Sequence, residues 1–154
     1  MRRKDREKDN IFALEIIRDC EYATFATVNP DGTPYCIPVS PALLDNAIYF
    51  HCATEGQKLD NIKKNDKVCV SCVRYTKLLP EKFTTEYESA VATGKCDIVF
   101  DETEKIAALR AICEKYAKNN MDSFDEQIVK SLNNTCVCGV SIEKISGKAN
   151  MKNK

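Results

Sequence analysis

The sequence carries no excess charge of either sign, no long apolar run and only one histidine. Its 23 Lys and Arg residues balance 23 Asp and Glu residues, for a formal net charge of +0. A general nucleic-acid binder shows a basic excess, so no nucleic-acid partner is expected. No stretch is apolar enough for a signal-peptide core or a membrane span. No membrane association is expected either. Internal repeats and low-complexity segments are also missing. The single histidine, His51, is the only position where imidazole chemistry can reside.

What is present suits one folded domain. The chain has 154 residues, 44% hydrophobic and 30% charged. A chain of this size buries roughly 68–70% of its unfolded surface. One domain over residues 1–154 is expected, with flexible tails at 1–8 and 147–154, both polar. Nine cysteines with no leader before them point to a reducing cytoplasm rather than a disulfide framework. Cys69, Cys72, Cys136 and Cys138 sit inside apolar runs and read as small hydrophobes. Cys69 and Cys72 have the spacing of zinc ligands, but on a strand they point to opposite faces. Cys136 and Cys138 do share a face. No metal site is expected.

Periodicity sets out the elements. Apolar positions 12, 13, 16, 17 and 20 predict a helix over 11–20, after the possible caps Asp9 and Asn10. Residues 23–29 and 33–40 flank Asn29-Pro30-Asp31-Gly32 and predict a hairpin. A third strand is expected over 47–53, a short helix over 55–64 and a strand over 67–75. An irregular stretch with Pro80 follows, from 76 to 85. Residues 86–100 predict one long strand with a bulge or bend at Gly94. Asp101 and Glu104 form a capping-box pattern before a helix. Residues 122–133 read as a further helical segment and 135–145 as the last strand. Hairpin-linked strands with helices at the margins predict a mainly β, α+β antiparallel barrel.

The stretch from Ile48 to Asn65 concentrates the chemistry. A buried strand carrying His51 runs into a helix whose first turn holds Gly56 and Lys58. Backbone N–H groups at a helix start lack internal partners, and the helix dipole favours anions there. The local reading is a phosphate-type anion site beside an apolar strand. Each residue also has a plainer reading: His51 as a packed histidine, Lys58 as a solvated helix residue, Cys52 as core filler.

Three blocks resemble the FMN-binding split barrels of the pyridoxamine-phosphate-oxidase-like superfamily, nitroimidazole-resistance type. They are Ala26-Thr-Val-Asn-Pro-Asp-Gly-Thr-Pro-Tyr-Cys-Ile-Pro-Val-Ser, Ile48-Tyr-Phe-His-Cys-Ala-Thr-Glu-Gly-Gln-Lys-Leu-Asp-Asn-Ile and Tyr87-Glu-Ser-Ala-Val-Ala-Thr-Gly-Lys-Cys. The resemblance implies a six-stranded antiparallel split β-barrel with flanking helices. It also implies a homodimer with flavin between subunits. Pro38, Val39 and Ser40 would line the ring. Phe50, His51, Cys52 and Ala53 would follow the cofactor, and Gly56 and Lys58 would hold its phosphate. Tyr87, Glu88 and Ser89 would approach from the partner subunit. The implied cofactor is FMN, with FAD or haem as lesser expectations. The implied activity is reduction of a small acceptor, a nitroimidazole-like compound among the candidates, with a nicotinamide as possible donor. His51 is the expected catalytic group. The alternatives are a flavin- or haem-binding module without turnover, and the oxidase reaction. The Arg-Lys-rich phosphate stretch of the oxidases is replaced here by Ala53, Thr54 and Glu55.

Overall fold

A computed structural model describes residues 2–151 of the chain. Eight strands form one antiparallel sheet: β1 (Glu7–Lys8), β2 (Ala23–Val28), β3 (Pro34–Val39), β4 (Ala42–Leu44), β5 (Ala47–Cys52), β6 (Lys67–Leu79), β7 (Thr84–Ile98) and β8 (Cys136–Asn150). Four α-helices accompany them: α1 (Asn10–Asp19), α2 (Gln57–Lys64), α3 (Glu102–Tyr116) and α4 (Phe124–Ser131). The hydrogen-bonded order is β3-β2-β6-β7-β8-β5-β4, with β1 on β8. The sheet curls into a split barrel. It has eight strands rather than six because two short ones, β1 and β4, escape a periodicity search.

Alternation along the strands produces the curl's interior. On β2, Ala23, Phe25 and Thr27 face inward. On β5, Ile48 and Phe50 do the same, and the Phe25 and Phe50 rings meet at 4.7 Å. Burying a Phe or Ile side chain here stabilises the fold by roughly 1.5–3 kcal/mol. Helix α1 adds Ala13, Ile16 and Ile17 to this core. Its start is fixed by Asp9, whose carboxylate accepts from the Phe12 N–H at 2.8 Å. A second, smaller core lies on the opposite face of β5 and β8. There Tyr49 and Val137 pack with Leu109 of α3 and Phe124 of α4.

Three expectations need correction. Residues 76–79 and 84–85 are not irregular: they extend the β6–β7 hairpin, with Thr76 opposite Tyr87 and Leu79 opposite Thr84. Pro80 marks only the tip of the hairpin, beside Phe83 at φ 48°. Both faces of this extension are largely solvated, so it has little hydrophobic alternation to betray it. The last strand runs on to Asn150. The expected tails are therefore partly tied down, since Glu7 and Lys8 pair with Lys148 and Gly147 and Ala149 is buried. Met1 and residues 152–154 lie outside the described residues.

The bulge expected at Gly94 is present. The β7–β8 register shifts between Thr93 and Gly94. A Cβ there would stand 1.9 Å from the Ser141 carbonyl oxygen, so the close backbone approach requires glycine.

Candidate functional site

The two ends of the sheet order meet at the barrel's seam. Strand β3 is one edge, and β5 lies next to the other. Their ends, together with α2, enclose a groove of about 390 Å³ lined by Pro38, Val39, Ser40, His51, Cys52 and Lys58, with Tyr22 and Ile37 completing the wall. Six positions implicated by sequence thus come together from three elements far apart in the chain.

The groove's chemistry follows from how each element presents its residues. As an edge strand, β3 has one side of its backbone without a ladder partner, and Pro38 has no N–H to present there. That free edge leaves alternate backbone groups of β3 without a ladder partner. Side chains alternate on β5, so Cys52 turns toward the main core while His51 turns outward with Tyr49. His51 is exposed, and its side chain makes no hydrogen bond to another described residue. Lys58 is half-buried and likewise free of an ion pair among the described residues. It is the one Lys or Arg among the described residues that line the groove.

Gly56, at φ 134°, is the N-cap of helix α2 and supplies no side-chain cap. Helices α1 and α3, by contrast, are capped by Asp9 and Asp101. The Leu59 N–H turns back to the Gly56 carbonyl at 2.9 Å, and the Gln57 and Lys58 N–H groups have no side-chain cap. A clamp missed by the sequence reading holds this helix in place. Asn61, 1% exposed, donates from Nδ2 to Thr27 Oγ1 at 2.9 Å and to Asn29 Oδ1 at 2.8 Å. Gln57 Nε2 donates to the same Asn29 oxygen at 3.0 Å. The available signal was the i,i+4 spacing of Gln57 and Asn61 on one helix face. The far end of α3 is fixed near the groove as well: Lys115 Nζ and Tyr116 OH both donate to the Pro41 carbonyl, at 2.7 and 3.0 Å.

Other expected site residues lie elsewhere. The Phe50 side chain is inside the core, so only its backbone can reach a ligand. Ala53 and Gly56 are exposed on the connection between β5 and α2. Tyr87, Glu88 and Ser89 lie outside this groove. The Tyr87 hydroxyl accepts from Arg6 at 3.4 Å, Glu88 pairs with Arg74 at 2.8 Å, and Ser89 Oγ donates to the Lys148 carbonyl at 3.5 Å.

Beneath the groove the sheet register gathers three thiols. Cys52 stands opposite Cys136, and Cys138 lies two residues further along β8. Their sulfurs lie within 4.8 Å of one another. Contact with Cys138 and burial both raise the Cys52 thiol's pKa, and Cys136 is also raised, chiefly by burial. These thiols keep their protons at neutral pH and pack as small apolar groups. All nine cysteines of the chain are free.

The outward face of His51 borders a second hollow, a cavity of about 530 Å³ among β5, α3 and α4. Sequence periodicity gave no sign of it, because α4 is short and its packing depends on the 118–123 connection.

The profile of the pyridoxamine 5'-phosphate oxidase family matches residues 12–149. The chain belongs to that family. No curated protein matches it. Among solved structures, a candidate 5-nitroimidazole antibiotic resistance protein from Bacteroides thetaiotaomicron is similar at 23% identity and TM-score 0.76, covering 92% of this chain and 84% of that one. An FAD- and haem-binding protein from Mycobacterium smegmatis is similar at 16% identity and TM-score 0.80, covering 96% and 74%. A flavocytochrome from Azotobacter vinelandii is similar at 17% identity and TM-score 0.77, covering 99% and 72%. At these identities the likeness carries the fold alone. No helix among the described residues is long and apolar enough to cross a membrane.

Proposed function

We propose that this family member is an FMN-binding reductase of a small organic acceptor, acting as a homodimer in the cytoplasm with flavin at the subunit interface. One observation carries the reading: the seam groove joins an apolar wall, an open strand edge, an uncapped helix start and one unpaired lysine. That donor set fits a flavin phosphate. Lys58 provides the charge and the α2 start provides oriented N–H groups, worth about 0.3–1 kcal/mol on the surface. Tyr22, Ile37, Pro38 and Val39 supply the apolar wall, while the β3 backbone offers hydrogen-bonding groups at its edge.

When bound, an isoalloxazine supplies the electron chemistry between a nicotinamide donor and the acceptor. The chain's own residues bind, orient and exclude water. The His51 imidazole, exposed and without a partner, is the group that can hold or release a proton toward the acceptor. Tyr87, Glu88 and Ser89 would complete the site from a second copy. A nitroimidazole-like compound, suggested by the resemblance of the three sequence blocks, is one candidate acceptor.

Lys58→Ala tests the assignment. Losing a charge-assisted contact costs roughly 1.5–3 kcal/mol, so FMN should bind roughly 10- to 150-fold more weakly. Riboflavin, which lacks the phosphate, should change little. Equal loss for both would remove Lys58 from the phosphate role. A haem absorbance band in place of a flavin spectrum in the purified protein would overturn the flavin reading itself.

A further inference from the structure

The cavity on the outer face of β5 has a composition that restricts its ligand. It is lined mainly by apolar groups, among them Leu109, Ile112, Met121, Phe124 and Ile128. Among the described residues, no Asp, Glu, Lys or Arg lines it. Its volume of about 530 Å³ falls in the roughly 300–1,000 Å³ range of small-molecule pockets. Burying an unpaired charge in such a lining is costly, so a charged ligand is disfavoured.

The polar groups on the lining divide into two sets. Ser131 Oγ donates to the Gln127 carbonyl at 2.8 Å, and Thr135 Oγ1 donates to the Ser131 carbonyl at 2.9 Å. These hydroxyls are engaged by local backbone. The side chains of His51, Asn120, Ser123 and Gln127 have no hydrogen-bond partner among the described residues and remain available to a ligand. His51 is also shared: it lines both this cavity and the seam groove. A molecule in the cavity and one in the groove would meet at this residue.

We infer that this cavity is the acceptor subsite, and that it takes an uncharged, mainly apolar small molecule whose hydrogen-bonding group points at His51. The assignment of the occupant as acceptor rests on the flavin reading. The preference for a neutral ligand rests on the cavity alone.

Equilibrium dialysis with a matched pair of probes tests it. 4-Nitrobenzyl alcohol is neutral and 4-nitrobenzoate is its anionic counterpart. The protein, with and without added FMN, should bind the alcohol at one site, at least tenfold more tightly than the carboxylate. Ile128→Trp fills the cavity and should weaken alcohol binding at least tenfold while leaving FMN retention unchanged. Gln127→Lys, at an exposed position that tolerates substitution, should bring carboxylate binding to or above that of the alcohol. Equal binding of both probes by the native protein, no binding of the alcohol, or an unchanged affinity in Ile128→Trp would overturn the inference. If the flavin-free protein binds the alcohol as described but FMN is not retained, the flavin reading fails and the neutral-ligand cavity stands. If FMN is retained and the alcohol does not bind, the cavity inference fails alone.

Discussion

Asn61 is the residue whose removal most directly tests how the helix start is held. Its amide donates two hydrogen bonds, at 2.9 and 2.8 Å, to Thr27 and Asn29. It is buried, as is Thr27 at 3% exposure. Each hydrogen bond contributes about 0.5–1.5 kcal/mol net. Asn61→Ala should therefore cost about 1–3 kcal/mol. Asn29 keeps its bond from Gln57, while the Thr27 hydroxyl loses its donor in a dry setting. For a domain of this size each kcal/mol shifts Tm by about 2–4 °C, so a fall of about 4–8 °C is expected for a midrange loss. Circular dichroism melting of the wild type, Asn61→Ala, Thr27→Val and the double variant would measure it. The double-mutant cycle should show a coupling of at least about 0.5 kcal/mol. A Tm within about 1 °C of wild type, or additive single effects, would refute the clamp.

Two further outcomes follow from other parts of the fold. The Tyr49 hydroxyl donates to Glu104 at 2.9 Å, and desolvation followed by that carboxylate pushes its pKa up to about 12. The folded state thus keeps a proton that the unfolded state releases near pH 10. This contribution is complete below about pH 10 and is lost as pH rises toward 12, so melting temperature should fall over that window, and less steeply in Tyr49→Phe. Gly94→Ala forces a Cβ to within 1.9 Å of a backbone oxygen, where no rotamer change can relieve the clash. Chemical denaturation should show a loss at or above the upper end of the roughly 1–3 kcal/mol usual for overpacking, and an unchanged midpoint would argue against the bulge geometry.

Much of the secondary structure was legible because its determinants are local. Asp9 and Asp101 cap helices where their spacing predicts, and Asn29-Pro30-Asp31-Gly32 turns the first hairpin, with Gly32 at φ 85°. Strand β5 alternates as its sequence reads. The hairpin extension past residue 75 and the continuation of β8 to Asn150 were not legible. Their stability comes from cross-strand pairing with distant segments, which leaves no period in either strand alone.

The sequence by itself determined the mainly β, antiparallel character of the chain, the strand-to-helix joint at His51 and Lys58, and the residue blocks that resemble a flavin-binding family. Tertiary structure decided what those residues can do together. Pro38 and His51 become neighbours only because the sheet curls its two ends to one seam. Alternation sends the Phe50 side chain into the core and turns His51 outward, and only the packing of α3 and α4 makes that outer side a cavity. Local patterns fix which way a side chain points from its own strand. What it points at depends on long-range packing, and here that packing gives one histidine two hollows to face.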